Sequence, residues 1–465
     1  MQKSKLLEVL SQLDKKEQRA LGKFVRSPFF NQRADVVDLY DYLMQQLPLR
    51  DEALVSKQRV WVAVFGEAPY NEKKISYTIS FLYQCVKDFL AYAEFKSDSI
   101  HAQFQLVKAL RKRSLDRVFE IEIRQAEKAL EAGSLRNMDY HYLSFKIHQE
   151  YNHQGTRQKR LDAQHFQQQQ EALNYYYIAN KLKQICISVS YRNVPIVDLP
   201  DQYSEQLLRQ IEQGDWQDNP SIAIYYNIYK ALSSPEKHYF DRLQQLIRAN
   251  VSTFSAREFK DILLLSINAA IKKINGGDRS YLLELFGLYR EGLDSGALLE
   301  NGQLSRFSYS NIARTGQGLK EYDWVKSFLD RFKDKVDKKY REDAYNYNLA
   351  DLYSRQEKYD EVMTILQEVE FKDPLYNLYA RRMLLKAYFR KNEYATLNSH
   401  LESFKNYIYR HKDLGYYRRI YLNLIRYVRK LLALDRFDRK AVEDLRQKIE
   451  NEKYLVEREW LLEQL

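Results

Sequence analysis

The sequence predicts an all-α protein: an α-solenoid of stacked antiparallel helix pairs, preceded by a module of short helices. Three observations carry this. The 465 residues contain 14 glycines and 8 prolines, well under the average usage of about 7% and 5%. An all-β chain would need turn residues every ten residues or so, and they are not there. Apolar residues recur at steps of three and four, as in Ile75, Ile79, Leu82, Val86, Phe89 and Leu90, the period of an amphipathic helix. Lastly, the triplets Glu321-Tyr322-Asp323, Lys358-Tyr359-Asp360 and Glu393-Tyr394-Ala395 echo one another, their tyrosines 37 and 35 residues apart. Self-similarity at that period is the signature of stacked helix pairs.

The prolines punctuate the helices. Pro28, Pro48 and Pro69 fall in the first 70 residues and the next is Pro195, so 70–194 is expected to hold the longest helices. Residues 1–98 read as a module of short helices. Asp14 with Glu17 opens one as a capping box, Asn31 caps the next, Ser56 one carrying Trp61 and Phe65, and Asn71 a long one. Residues 99–194 read as long-helix hairpins with breaks near Ser114-Leu115, Gly133-Ser134 and Gly155. The polar run Gln167 to Gln170 reads as a solvated helix face. The segment 193–201, with Pro195 and Pro200, is the best internal boundary, and 195–465 is expected to hold the helical repeats. Tyrosine is abundant, at 38 residues. A ring that packs while its hydroxyl stays wet suits a thin helical layer.

The stretch from Leu352-Tyr353 through Lys358-Tyr359-Asp360-Glu361 to Asp373-Pro374 resembles a degenerate tetratricopeptide unit; its Leu-Gly pair is missing, and the closing proline occurs in one unit only. Phe24-Val25-Arg26-Ser27-Pro28-Phe29-Phe30-Asn31, Tyr175-Tyr176-Tyr177-Ile178, Tyr345-Asn346-Tyr347-Asn348-Leu349-Ala350 and Glu459-Trp460-Leu461-Leu462 resemble landmarks of a family of uncharacterised helical proteins of Bacteroidota-type bacteria. That resemblance implies a helical-repeat fold and a cytoplasmic location. It carries over no functional residues.

Signatures of catalysis are not found. Gly276-Gly277-Asp278 lacks the Lys-Ser/Thr that grips phosphate and reads as a turn. Neither a GxSxG elbow nor an HExxH pair occurs. Glu150-x-x-His153 and Asp162-x-x-His165 have the spacing of di-iron ligands, but the further carboxylate-bearing helices are not evident, and they read as surface histidines. Cys85 and Cys186 sit among apolar neighbours as core side chains, not as a disulfide or metal pair. The expectation is therefore a non-enzyme with no cofactor and no metal. The N-terminus is polar and no run of 18 apolar residues occurs, so the expected place is the cytoplasm, without a membrane partner.

The net charge is +11. One cluster concentrates cations with rings: Lys405, Arg410, Lys412, Arg418, Arg419, Arg426, Arg429 and Lys430 oppose only Asp413 and interleave with tyrosines. At about 100° per residue, Tyr417, Ile420, Tyr421, Leu424, Ile425, Val428 and Leu431 share one arc. Arg418, Arg419, Arg426, Arg429 and Lys430 fall on the other, with Tyr416 and Tyr427 at its edge. The strip reads either as a solvated face or as an anion-binding groove, since arginine's fork suits carboxylates and phosphates. Lys108, Arg111, Lys112, Arg113 and Arg117, opposed by Asp116, form a weaker patch. The expected function is a non-catalytic helical-repeat scaffold that binds a protein or peptide, acidic by complementarity to the strip. The alternative is a nucleic-acid-associated regulator with a helix-turn-helix-like reader in 56–95. Against it, 71–95 is nearly neutral, which is poor for phosphate contact.

Overall fold

The computed structural model describes residues 4–47, 52–157, 162–191, 204–367, 369, 371, 373–411 and 414–465. Among them the regular structure is helical, and β-pairing is confined to two isolated bridges, Glu300 with Gln303 and Leu304 with Val336. The chain forms two compact units, Met1–Tyr177 and Ile178–Leu465. The expected boundary at 193–201 lies outside the described residues.

The first unit begins with α1 (Lys5–Gln12), α2 (Lys15–Val25), α3 (Ala34–Gln46), α4 (Lys57–Phe65) and α5 (Glu72–Ser97) around one core. Local chemistry sets the ends. Asp14 Oδ1 accepts from the amides of Lys16 and Glu17, while Glu17 returns a bond to the Asp14 amide, completing the capping box. Ser56 and Asn71 cap α4 and α5 as expected. Asn31 does not cap α3. Its side chain instead bonds Val25 O and both backbone groups of Arg33, closing the turn before the helix, and the cap position falls to Arg33. On α5 the predicted face is buried at Ile75, Leu82, Val86 and Phe89, Ile79 is half-buried against the core and Leu90 turns outward; Thr78 and Cys85 join the buried arc instead.

Next come α6 (Ser99–Lys112), α7 (Asp116–Ala132), α8 (Met138–Arg157) and α9 (Ala163–Tyr191), which crosses from the first unit into the second. The breaks at Ser114-Leu115 and Gly133-Ser134 fall as expected, but Gly155 lies inside α8, which runs on to Arg157; α5 and α9 are the longest helices described, at 26 and 29 residues.

The second unit continues with α10 (Ser204–Gln213), α11 (Pro220–Ser233), α12 (Lys237–Ala249), α13 (Ala256–Asn275), α14 (Tyr281–Asp294), α15 (Arg306–Gly318) and α16 (Tyr322–Phe332). Then follow α17 (Arg341–Arg355), α18 (Tyr359–Gln367), α19 (Pro374–Arg390), α20 (Tyr394–Arg410), α21 (Tyr416–Leu432), α22 (Arg439–Glu450) and α23 (Arg458–Glu463). Helices pack in sequence order: α15 on α16, α17 on α18, α19 on α20, with α15, α17 and α19 also packed one on the next.

The three echoed triplets have a common structural cause. Lys320, Glu357 and Asn392, each two residues before its tyrosine, adopt left-handed φ of 63°, 59° and 60°. The next amide in each case, of Glu321, Lys358 or Glu393, donates to the carbonyl five residues back, of Gly316, Tyr353 or Tyr388, at 2.9–3.0 Å. This is a Schellman-type closure, which satisfies the last carbonyls of one helix while reversing the chain into the next. Ser114 and Gly277 close their turns in the same way.

Tyrosine is used more deeply than the sequence suggested. Tyr225, Tyr281, Tyr309, Tyr347 and Tyr421 are among the largest fully buried side chains. Hydroxyls that were expected to stay wet find protein partners: Tyr309 donates to Leu329 O and Tyr347 accepts from Arg314, each at 2.7 Å. Buried phenols usually find such a partner; among the described residues Tyr281 is an exception, its hydroxyl buried without one.

Candidate functional site

The basic strip lies on α21, and the arcs separate as drawn. Ile420, Tyr421, Leu424, Ile425, Val428 and Leu431 are buried, while Arg419, Arg426 and Lys430 are exposed and Arg418 and Arg429 half-exposed. Tyr416 is 64% exposed. Tyr427 is a correction: it is buried, donating its hydroxyl to Lys448 O at 2.9 Å, so the second ring belongs to the core rather than to the rim of the strip. It lies one residue before Val428, and α22 supplies the carbonyl that takes its hydroxyl, with Glu452 just beyond.

Neighbouring segments answer much of the strip's charge. Arg426 pairs with Glu452 at 2.6 Å and Arg429 with Glu402 on α20 at 2.5 Å. Burial works against ionisation of Glu452, but the Tyr454 amide and the Arg426 guanidinium outweigh it and hold the carboxyl below its ordinary range. Arg418 lies over the Tyr409 ring at 5.1 Å and Arg419 over Tyr454 at 4.2 Å. Among the described residues, neither Arg419 nor Lys430 lies within ion-pair distance of a carboxylate. Lys412 and Asp413 lie outside the described residues.

The weaker patch disperses. Arg111 turns inward to Glu150, which is 3% exposed, and Arg157 reaches Asp116. This also dissolves the Glu150-x-x-His153 pairing: the carboxylate faces Arg111, and His153 Nδ1 stays 3.9 Å away on the exposed side.

A different constellation assembles between α7, α8 and the start of α9. The Nδ1 atoms of His148 and His165 lie 3.2 Å apart. Glu127 joins them, so that one ligand atom from each of the three lies within 4.8 Å of the others. Tyr151 links the group, stacking on the His165 ring with centroids 3.9 Å apart and donating its hydroxyl to Glu127 Oε2 at 3.0 Å. Asn152 bonds both Gln169 and His165 O, pinning α9 to α8. The run Gln167 to Gln170 is thus not uniformly solvated. Gln169 makes that bond, and Gln168 lines a cavity of about 220 Å³ beside Glu127, Glu131, His141, His148 and Glu171.

Burial, reinforced by His165, pushes the pKa of His148 down to about 4; burial does the same to His141, helped by Arg136. Burial, and then the charge of Glu127, push the Tyr151 phenol upward. Sequence spacing could not reveal this group. His148 and His153 sit about 140° apart on α8 at 3.6 residues per turn, and only His148 faces α9. Elsewhere, Cys85 and Cys186 are free and buried, and Gly276-Gly277-Asp278 is a turn between α13 and α14.

No family model matches the chain, nor does any curated protein or solved structure. Among the described residues, no helix is long and apolar enough to cross a membrane.

Proposed function

We propose that this protein is a non-catalytic helical-repeat scaffold, tetratricopeptide-like in its second unit, that binds a protein or peptide partner in the cytoplasm. The observation that carries the reading is the threefold recurrence of one hairpin closure at Lys320, Glu357 and Asn392, with α15, α17 and α19 packed in succession. Helix pairs joined by the same turn present equivalent faces side by side, and such faces form extended binding surfaces.

The partner face assigned on this reading is the outer side of α21: Arg418 and Arg419 with exposed Tyr416 in its first turn and Lys430 in its last. Arg426 and Arg429 already hold carboxylates, which makes an acidic segment the chemistry the face would accept. Tyr427, being buried, lies behind this face.

The test is capture from native lysate, nuclease-treated or untreated, on the full chain and on Arg419→Glu/Lys430→Glu. Proteins retained by the native chain, insensitive to nuclease and lost from the double variant are the expected result. Retention that collapses with nuclease, with steep salt dependence on generic DNA or RNA, would replace the scaffold by the nucleic-acid reading. Identical capture by both chains would remove α21 as the partner face.

A further inference from the structure

We infer that Glu127, His148 and His165 form a binding site for a divalent first-row transition ion, with zinc the best match, inside the first unit. The donor set is two imidazoles and one carboxylate, the N/O combination that suits zinc and its neighbours rather than magnesium or calcium, which prefer oxygen alone. Three protein ligands with one position left open is a recurrent zinc arrangement.

The geometry is already close. Two nitrogens each about 2.05 Å from a tetrahedral zinc lie about 3.4 Å apart, and the two Nδ1 atoms are 3.2 Å apart. The Glu127 oxygen, within 4.8 Å of both, reaches the same point by a small side-chain adjustment next to the cavity. The surrounding groups are those that orient ligands. Tyr151 fixes the second face of the site by holding Glu127 Oε2 and stacking on His165, and outer contacts of this kind set ligand orientation. On the cavity side, the buried Oε1 of Gln168 has no hydrogen-bond partner. It is an acceptor open to a water, in a residue that shares its cavity with Glu127 and His148. A proton shared between the two histidines would account for their approach, and Tyr151 for the place of Glu127, but the buried Gln168 oxygen would still lack a partner.

The ligands come from three different helices, so occupancy would tie α7, α8 and α9 together, and binding would stabilise the fold. The experiment uses the full chain stripped with chelator and dialysed. Zinc binding is measured by competition with a chromogenic chelator, and the thermal midpoint is recorded with and without zinc. The expected result is one zinc per chain and a zinc-dependent rise in midpoint, with magnesium giving neither.

Glu127→Gln and His165→Ala, at half-exposed positions, should weaken zinc by more than about 100-fold, and Tyr151→Phe by about 10-fold. His153→Ala, on the exposed side of α8, should leave affinity unchanged. Cobalt added to the native chain gives a readout independent of the variants: a visible absorption band of the kind tetrahedral nitrogen and oxygen ligation produces. Overturning results are substoichiometric zinc with no cobalt band, native affinity in both ligand variants, or loss of binding in His153→Ala equal to that in His165→Ala.

Discussion

The outer face of α21 and the junction of α7, α8 and α9 both gather polar side chains, and they do so by opposite routes. On α21 the groups come from one helix at successive positions, so the face exists as soon as the helix forms. Its cations are then drawn into exposed pairs with Glu402 and Glu452, or laid over Tyr409 and Tyr454. At the junction no single helix carries more than a fragment. Glu127, His148 and His165 meet only because three helices pack, and close by in sequence half-buried Arg111 pairs with buried Glu150. A charge on an exposed face keeps its water and gains little from its partner. A charge inside the packing has lost its water and depends on the partner entirely.

That contrast is sharpest at Arg111. Arg111→Met should cost about 3–5 kcal/mol by leaving Glu150 charged, buried and uncompensated, and adding Glu150→Gln should recover much of it. Urea denaturation of the single and double variants checks this; a loss under about 1 kcal/mol in the single variant would show that Glu150 is not held by Arg111. On α21 the expectation inverts. Leu424→Ala on the buried arc should cost about 2–5 kcal/mol, whereas Arg426→Ala and Arg429→Ala should each cost about 0–1 kcal/mol and less at high salt. If the arginine variants match Leu424→Ala in chemical denaturation, the strip is structural and the comparison fails.

The smallest effects belong to the helix closures of the second unit. Left-handed φ costs a side-chain-bearing residue roughly 1–2 kcal/mol, and glycine escapes it. Lys320→Gly and Glu357→Gly should therefore raise stability by up to about 1 kcal/mol, and Asn392→Gly by less, because asparagine tolerates that region better. Thermal midpoints of the three variants decide it, and destabilisation by either of the first two would mean that the native side chain holds the turn.

Some of this was legible in the residues and some was not, for identifiable reasons. Capping at Asp14, Ser56 and Asn71 could be read because a cap is a bond between positions two or three apart. The closures at Lys320, Glu357 and Asn392 were signalled only by the echoed tyrosines after them, since none of these three residues is the glycine that usually marks a left-handed turn. Asn31 looked like a cap because asparagine serves a turn and a helix start equally well; its bonds to Val25 and Arg33 chose the turn. Tyr427 looked like the edge of a face because a helical projection knows nothing of α22, whose Lys448 carbonyl takes its hydroxyl.

By itself, then, the sequence determined that the described residues are helical, where helices such as α2, α4 and α5 begin, and which arc of α21 faces the core. Those outcomes follow from turn-residue scarcity, capping groups and a 3.6-residue period, all of which act within a few positions. Tertiary structure alone decided that Arg426 and Arg429 are answered by acids 26 and 27 residues away, that Glu150 pairs with Arg111, and that His148 meets His165 beside Glu127. Those outcomes depend on which helix faces come together. Packing sets that through the shape of whole helices, and no local spacing encodes it.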